Sequence, residues 1–256
     1  MYQSITGAAG PAVDHSRRRV ALAAAFSLLA MALLAGFAQF GVLASVIVPT
    51  DAAATTHNIA ASIGLFSAAI AAFLVVAVLD VVVAWGLYVL LRPVQARVAL
   101  LVGGLRVVYA AAFAYALLDL VDVARLLNGA AAATLQSDQV QAQVAASVTG
   151  FRAGWDLALA VFGLSLVGLG GLLVRSADFP RLLGGLVILA GAGYLADSIG
   201  RTLVTGYTLT ISTFTFIGEV LLIVWLFKLA ITGSRTFGNR RSVDEAPAGA
   251  SQAAAS

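Results

Sequence analysis

The chain has 256 residues, 61% of them hydrophobic and 11% charged, with a formal net charge of +3 and a mean hydropathy of +0.99. A soluble domain carries about 25% charged residues, so a water-facing fold is excluded and most of the apolar surface must meet lipid or other helices. The absence of cysteine excludes disulfides, Cys-ligated metal centres and thiol nucleophiles, and the scatter of basic residues between apolar runs leaves no basic face for nucleic acid.

In chain order, residues 1–19 read as a disordered basic segment ending in Arg17, Arg18 and Arg19. Because a run of about 20 apolar residues crosses the hydrocarbon, six spans follow within residues 20–232. They are Val20 to Phe40, Ile63 to Leu91, Val98 to Leu127, Phe151 to Val174, Leu182 to Leu203 and Ile211 to Ile231. The expected fold class is therefore all-α, a polytopic helical bundle in the bilayer. Residues 233–256, rich in Ala, Ser and Gly, read as a disordered tail.

Arginine placement orients the bundle. Arg17–Arg19 precede the first span, Arg92 and Arg97 separate the second and third, Arg175 and Arg181 the fourth and fifth, and Lys228, Arg235, Arg240 and Arg241 close the chain. The alternate connections, Pro49 to Ser62, Asn128 to Gly150 and Val204 to Thr210, contain neither lysine nor arginine. The positive-inside rule then places both termini in the cytoplasm. Two outer connections carry helix signals. Thr50-Asp51 before three alanines predicts a capped short helix. Ser137-Asp138 predicts another, whose Val140, Val144 and Val148 lie on the membrane surface or pack on the outer helix ends. Small residues predict close helix contacts at Ala192, Ala196 and Gly200 and at Gly150 and Gly154.

Several short motifs occur in a recognisable order. They include Asp51-Ala-Ala-Ala-Thr55, Asn58-Ile59, Leu79-Asp80, Leu87-Tyr88, Leu90-Leu91-Arg92-Pro93 and Arg106-Val107-Val108. Phe179-Pro180-Arg181, Gly193-Tyr194-Leu195 and Gly218-Glu219 continue the series. From about Val20 to Gly233 the chain resembles the bacterial membrane proteins of domain-of-unknown-function family 4386. The resemblance implies a multi-helix protein of the bacterial cytoplasmic (inner) membrane without an established activity. It also implies a histidine after Phe162-Gly163-Leu164 and a basic residue after Leu65-Phe66, where this chain has Ser165 and Ser67. A role that depends on those two side chains does not carry over.

Ionisable groups inside a span cost several kcal/mol unless paired or hydrated. Asp80 is twelve residues from Arg92, Arg106 nine from Arg97 and Glu219 nine from Lys228, which sets all three roughly 13–18 Å from the basic edge. The tight hairpin between the second and third spans allows Asp80 and Arg106 to pair, leaving Glu219 in need of a proton or partner. Two readings are open: a buried pair that fixes helix register, or a proton site in which Arg106 modulates Asp80 or Glu219.

A second group lies toward the outer ends. Tyr115, Asp119, Asp122 and Arg125 share one face of the third span, away from Arg106. Arg152 and Asp156 pair at i, i+4 on the fourth, and Tyr194, Asp197 and Arg201 make a stripe on the fifth. Together they predict a polar, outward-facing cleft. Its readings are a salt-bridge network, a vestibule for a small polar ligand, and, least supported beside the arginines, a divalent-cation site. Gly163-Leu-Ser165 looks like an intramembrane serine motif, but the spans hold no histidine to serve as base, so Ser165 is expected to be packed or bonded to the preceding turn's carbonyl. The sequence thus describes a structural or accessory membrane protein, with small-solute or proton-coupled transport through Asp80, Arg106 and Glu219 as the alternative and intramembrane hydrolysis trailing both. It calls for no metal or cofactor, and the bilayer is its one necessary partner.

Overall fold

The computed structural model describes residues 10–129, 136–212 and 217–232, with side chains from residue 15 onward. The first helix, α1 (Gly10–Gly36), begins at Gly10 rather than near Val20, so Arg17, Arg18 and Arg19 are helical, while residues 1–9 of the expected basic segment lie outside the described residues. It widens into a π-helical stretch at Phe37–Leu43 before a last turn at Ala44–Val46. Next comes α2 (Ala52–Ala61), capped as its sequence predicts: the Asp51 carboxylate accepts from the Ala54 N–H at 2.8 Å.

A continuous helix over Ile63–Asn128 would be about 99 Å long, some three times the hydrocarbon thickness. It breaks at Gln95 (φ −159°, ψ 98°), just after Pro93, whose missing N–H and bulky ring disfavour continued helix. The result is a hairpin of α3 (residues 63–94) and α4 (residues 96–128). The remaining helices are α5 (Ser137–Arg175), α6 (Arg181–Leu203) and α7 (Ile217–Thr232), and the described residues contain no strand.

Four helical stretches, His15–Val46, Ile63–Asn128, Ser137–Arg175 and Arg181–Leu203, are long and apolar enough to cross a membrane. The second of these is a hairpin, and α7, apolar but described over 16 residues, stands where the sixth span is expected. The outer surface of the bundle is apolar: Phe40 is 79% exposed, Leu182 75% and Ile231 70%. That is what lipid, not water, tolerates on a folded chain.

The expected short helix at Ser137 is continuous with α5, and its Val140, Val144 and Val148 are buried. This end of α5 packs on α2, so its apolar stripe faces protein. The tightest contact is between α5 and α6. A Cβ on Gly163 would meet the Gly191 carbonyl oxygen at 2.7 Å, and one on Gly170 would meet the Gly184 carbonyl oxygen at 2.5 Å. Gly150 and Gly154 pack as predicted, on Asp119 and Ala116 of α4. Ala192 and Ala196 do not, since both are exposed; Gly184 and Gly191 form the packing face of α6 instead.

The arginines at the start of α1 tie the basic end together. Arg17 donates to the Leu90 carbonyl oxygen at 3.0 Å and lies 3.6 Å from Asp178 in the α5–α6 turn. Arg18 donates to the Ala230 and Ile231 carbonyl oxygens at 2.7 and 2.8 Å, occupying acceptors that the last turn of α7 leaves open. Trp225 adds a bond from Nε1 to the Asp178 carbonyl oxygen at 2.8 Å. Residues 233–256, expected as a tail, lie outside the described residues.

Candidate functional site

Asp80 and Arg106 meet across the α3–α4 hairpin, as the residue arithmetic predicts. The Arg106 Nε donates to Asp80 Oδ1 at 2.5 Å, with Arg106 2% and Asp80 0% exposed. Arg106 also lies with its guanidinium carbon 5.0 Å from the centre of the Phe162 ring on α5. The pair is therefore held on three sides: by the carboxylate, by an aromatic face and by the helix that carries it.

Around it stands an aromatic shell. Tyr109, one turn from Arg106, packs at 4.7 Å on Phe162, which in turn meets Tyr194 of α6 edge-on at 5.3 Å. Trp155 closes the neighbouring layer against Phe73, Phe113 and Phe151. Glu219 enters from α7, beside Gly218, which packs so closely on α6 that a Cβ there would meet the Leu186 carbonyl oxygen at 2.6 Å. The Tyr194 phenol faces the Glu219 carboxyl, and Tyr109 lies within electrostatic reach of Asp80, Arg106 and Glu219. Two carboxylate oxygens in this buried cluster, Asp80 Oδ2 and Glu219 Oε1, have no hydrogen-bond partner. Ser165, below Phe162, bonds its own helix at the Phe162 carbonyl oxygen (2.7 Å), the packed role its sequence context predicts.

The polar group at the far end is less unified than the sequence implies. Tyr115 is 77% exposed and points away from the bundle, so it lines no cleft. Tyr194 belongs to the central cluster. Arg152 is exposed and does not take Asp156, which is bonded instead by Arg201 from α6 at 2.8 Å. The interhelical bond wins because Arg201 is less exposed and already oriented by Asp197, 3.9 Å away. Asp122 and Arg125 make an exposed i, i+3 contact at 3.9 Å, worth little in water. Asp119 lies against Gly150.

Asp197 is the organising residue of this end. Its carboxylate accepts from the Tyr207 hydroxyl (2.9 Å), the Ile211 and Ser212 N–H groups (2.9 and 2.8 Å) and the Ser212 hydroxyl (2.6 Å). The Tyr207 phenol is held above its usual range, by desolvation first and then by its bond to Asp197. These bonds fasten the connection between α6 and α7, where Gly206 takes a positive φ of 79°. Replacing Asp197 by Ala removes charge-assisted bonds worth about 1.5–3 kcal/mol each before relaxation. The expected result is faster proteolysis within residues 204–212 at unchanged helix content, read by limited digestion and circular dichroism.

Among the described residues no group of three or more His, Cys, Asp or Glu is placed to hold a metal ion. A family model described as Domain of unknown function (DUF4386) matches residues 23–229. The chain belongs to this family. An uncharacterised protein of Archaeoglobus fulgidus is 36% identical to this DUF4386 chain over 154 residues, covering 60% of the chain and 78% of the relative. No solved structure matches it.

Sequence reasoning missed Tyr109, Trp155 and Phe162 as members of the central site. Tyr109 was findable, since it is three residues from Arg106 on one helical face. Phe162 and Trp155 carry no such signal; they read as ordinary apolar and interfacial residues until α5 is placed.

Proposed function

We propose that this DUF4386 chain is a structural or accessory protein of the cytoplasmic membrane, a helical scaffold without turnover. The observation that supports this is the full burial of the Asp80–Arg106 pair across one hairpin. A pair so placed fixes the register of α3 on α4, because sliding either helix by one turn leaves a bare charge in a dry interior. The basic end faces the cytoplasm by the charge rule, with the α1 arginines latching α7 and the α5–α6 turn.

A second reading, small-solute or proton-coupled transport, is favoured by Asp80 Oδ2 and Glu219 Oε1, which lack donors. Accessibility separates the two. The chain has no cysteine, so Glu219→Cys and Ser165→Cys give single reporters. The scaffold reading expects neither to react with a membrane-impermeant maleimide until the protein is unfolded. Labelling of the folded protein from either side overturns it in favour of transport.

A further inference from the structure

The central cluster contains Asp80, Glu219 and Arg106, so with its carboxyls ionised it carries one uncompensated negative charge. A net charge is not tolerated in a dry interior. The unpartnered oxygens lie on both carboxylates, one from α3 and one from α7; the Tyr194 phenol of α6 bonds the Glu219 carboxyl, and Tyr109 of α4 lies within electrostatic reach of Asp80, Arg106 and Glu219. Arg106 is already engaged by Asp80 Oδ1 and by Phe162. From α1, which also packs on α7, the charged side chains Arg17 and Arg18 lie at the basic end, bonded to Leu90 and Ala230.

We propose that this cluster holds one monovalent metal cation of the sodium class, coordinated by Asp80 Oδ2, Glu219 Oε1 and the phenol oxygens of Tyr109 and Tyr194. The donors are all hard oxygens, which suit alkali and alkaline-earth ions rather than soft metals. The charge count selects a monovalent ion: one positive charge brings the cluster to neutrality, whereas a divalent ion beside Arg106 leaves an excess. A proton on Glu219 is the competing occupant, since carboxylates close enough to share an ion are close enough to share a proton, and the experiment separates the two. The bound ion adds α7 to the hairpin lock, which makes it part of the scaffold and independent of any transport.

The test is thermal unfolding of the full chain in nanodiscs, with sodium chloride exchanged for choline chloride at constant ionic strength. Wild type is expected to gain stability with sodium and to saturate, Tm rising by roughly 5–10 °C at a hundredfold excess over Kd. Glu219→Gln, which neutralises the cluster without an ion, is expected to lose this dependence. Tyr194→Phe, which keeps the ring packing, is expected to need several-fold more sodium and serves if Glu219→Gln does not fold. A wild type indifferent to sodium overturns the proposal, and a protonated-carboxyl infrared band lost in Glu219→Gln would then assign the charge to a proton. Equal sodium dependence in wild type and both variants overturns it as well. Flux in proteoliposomes is a separate readout: sodium binding without flux supports the ion site and removes the transport reading.

Discussion

Arg106→Gln is expected to lower the unfolding free energy by about 3–5 kcal/mol, the usual cost of stripping one partner from a buried ion pair. The change leaves the Asp80 carboxylate in a site with 0% exposure and removes the cation over Phe162. Asp80→Asn is expected to cost a similar amount, because it leaves a guanidinium buried opposite a neutral amide. Chemical unfolding in mixed micelles, followed by the tryptophan emission to which Trp155 contributes, measures both. A loss below about 1 kcal/mol for both would mean that water already reaches the pair, since exposed pairs are worth that little.

Gly191→Ala is expected to be the next most damaging single change. Its new methyl would sit 2.6 Å from the Gly163 carbonyl oxygen and 2.8 Å from the Val167 nitrogen, and both are backbone atoms that cannot swing aside. The α5 and α6 helices must then separate, which costs about 1–3 kcal/mol as overpacking and more if the aromatic contact between Phe162 and Tyr194 is lost with it. Gly185→Ala on the same helix is the control. Nothing lies within 4 Å of its Cβ position, so a change within about 0.5 kcal/mol is expected. Equal losses at Gly191 and Gly185 would show that the close approach does not set the cost, since helix propensity alone favours alanine at both positions.

The passes were legible because lipid imposes a length and a polarity that composition alone reports. The same logic made Asp80 and Arg106 legible: two charges at matching depths on consecutive spans have few places to go but toward each other. Tyr194 and Asp197 show where such reasoning stops. Three residues apart on one helix, they looked like one stripe, yet Tyr194 turns to Phe162 and Glu219 while Asp197 holds Tyr207 and Ser212. Which neighbour each meets depends on the rotation of α6, and that is set by glycine contacts at Gly184 and Gly191 with α5. Arg201 makes the same point, since local i, i+4 spacing assigned Asp156 to Arg152 and the packed bundle assigned it to Arg201. The π-helical stretch at Phe37–Leu43 has no sequence signature that hydropathy detects. It leaves Gln39 Oε1 buried without a partner, a feature visible only in three dimensions.

The central claim is that Asp80 and Arg106 act as one architectural unit, and the double-mutant cycle measures that directly. Wild type, Asp80→Asn, Arg106→Gln and the double variant are unfolded under one condition, and the coupling energy is the departure from additivity. The account predicts a double variant that recovers much of the single losses, with a coupling of about 2 kcal/mol or more, because removing both charges of the pair leaves neither without its partner. Additive losses, with coupling near zero, would contradict it.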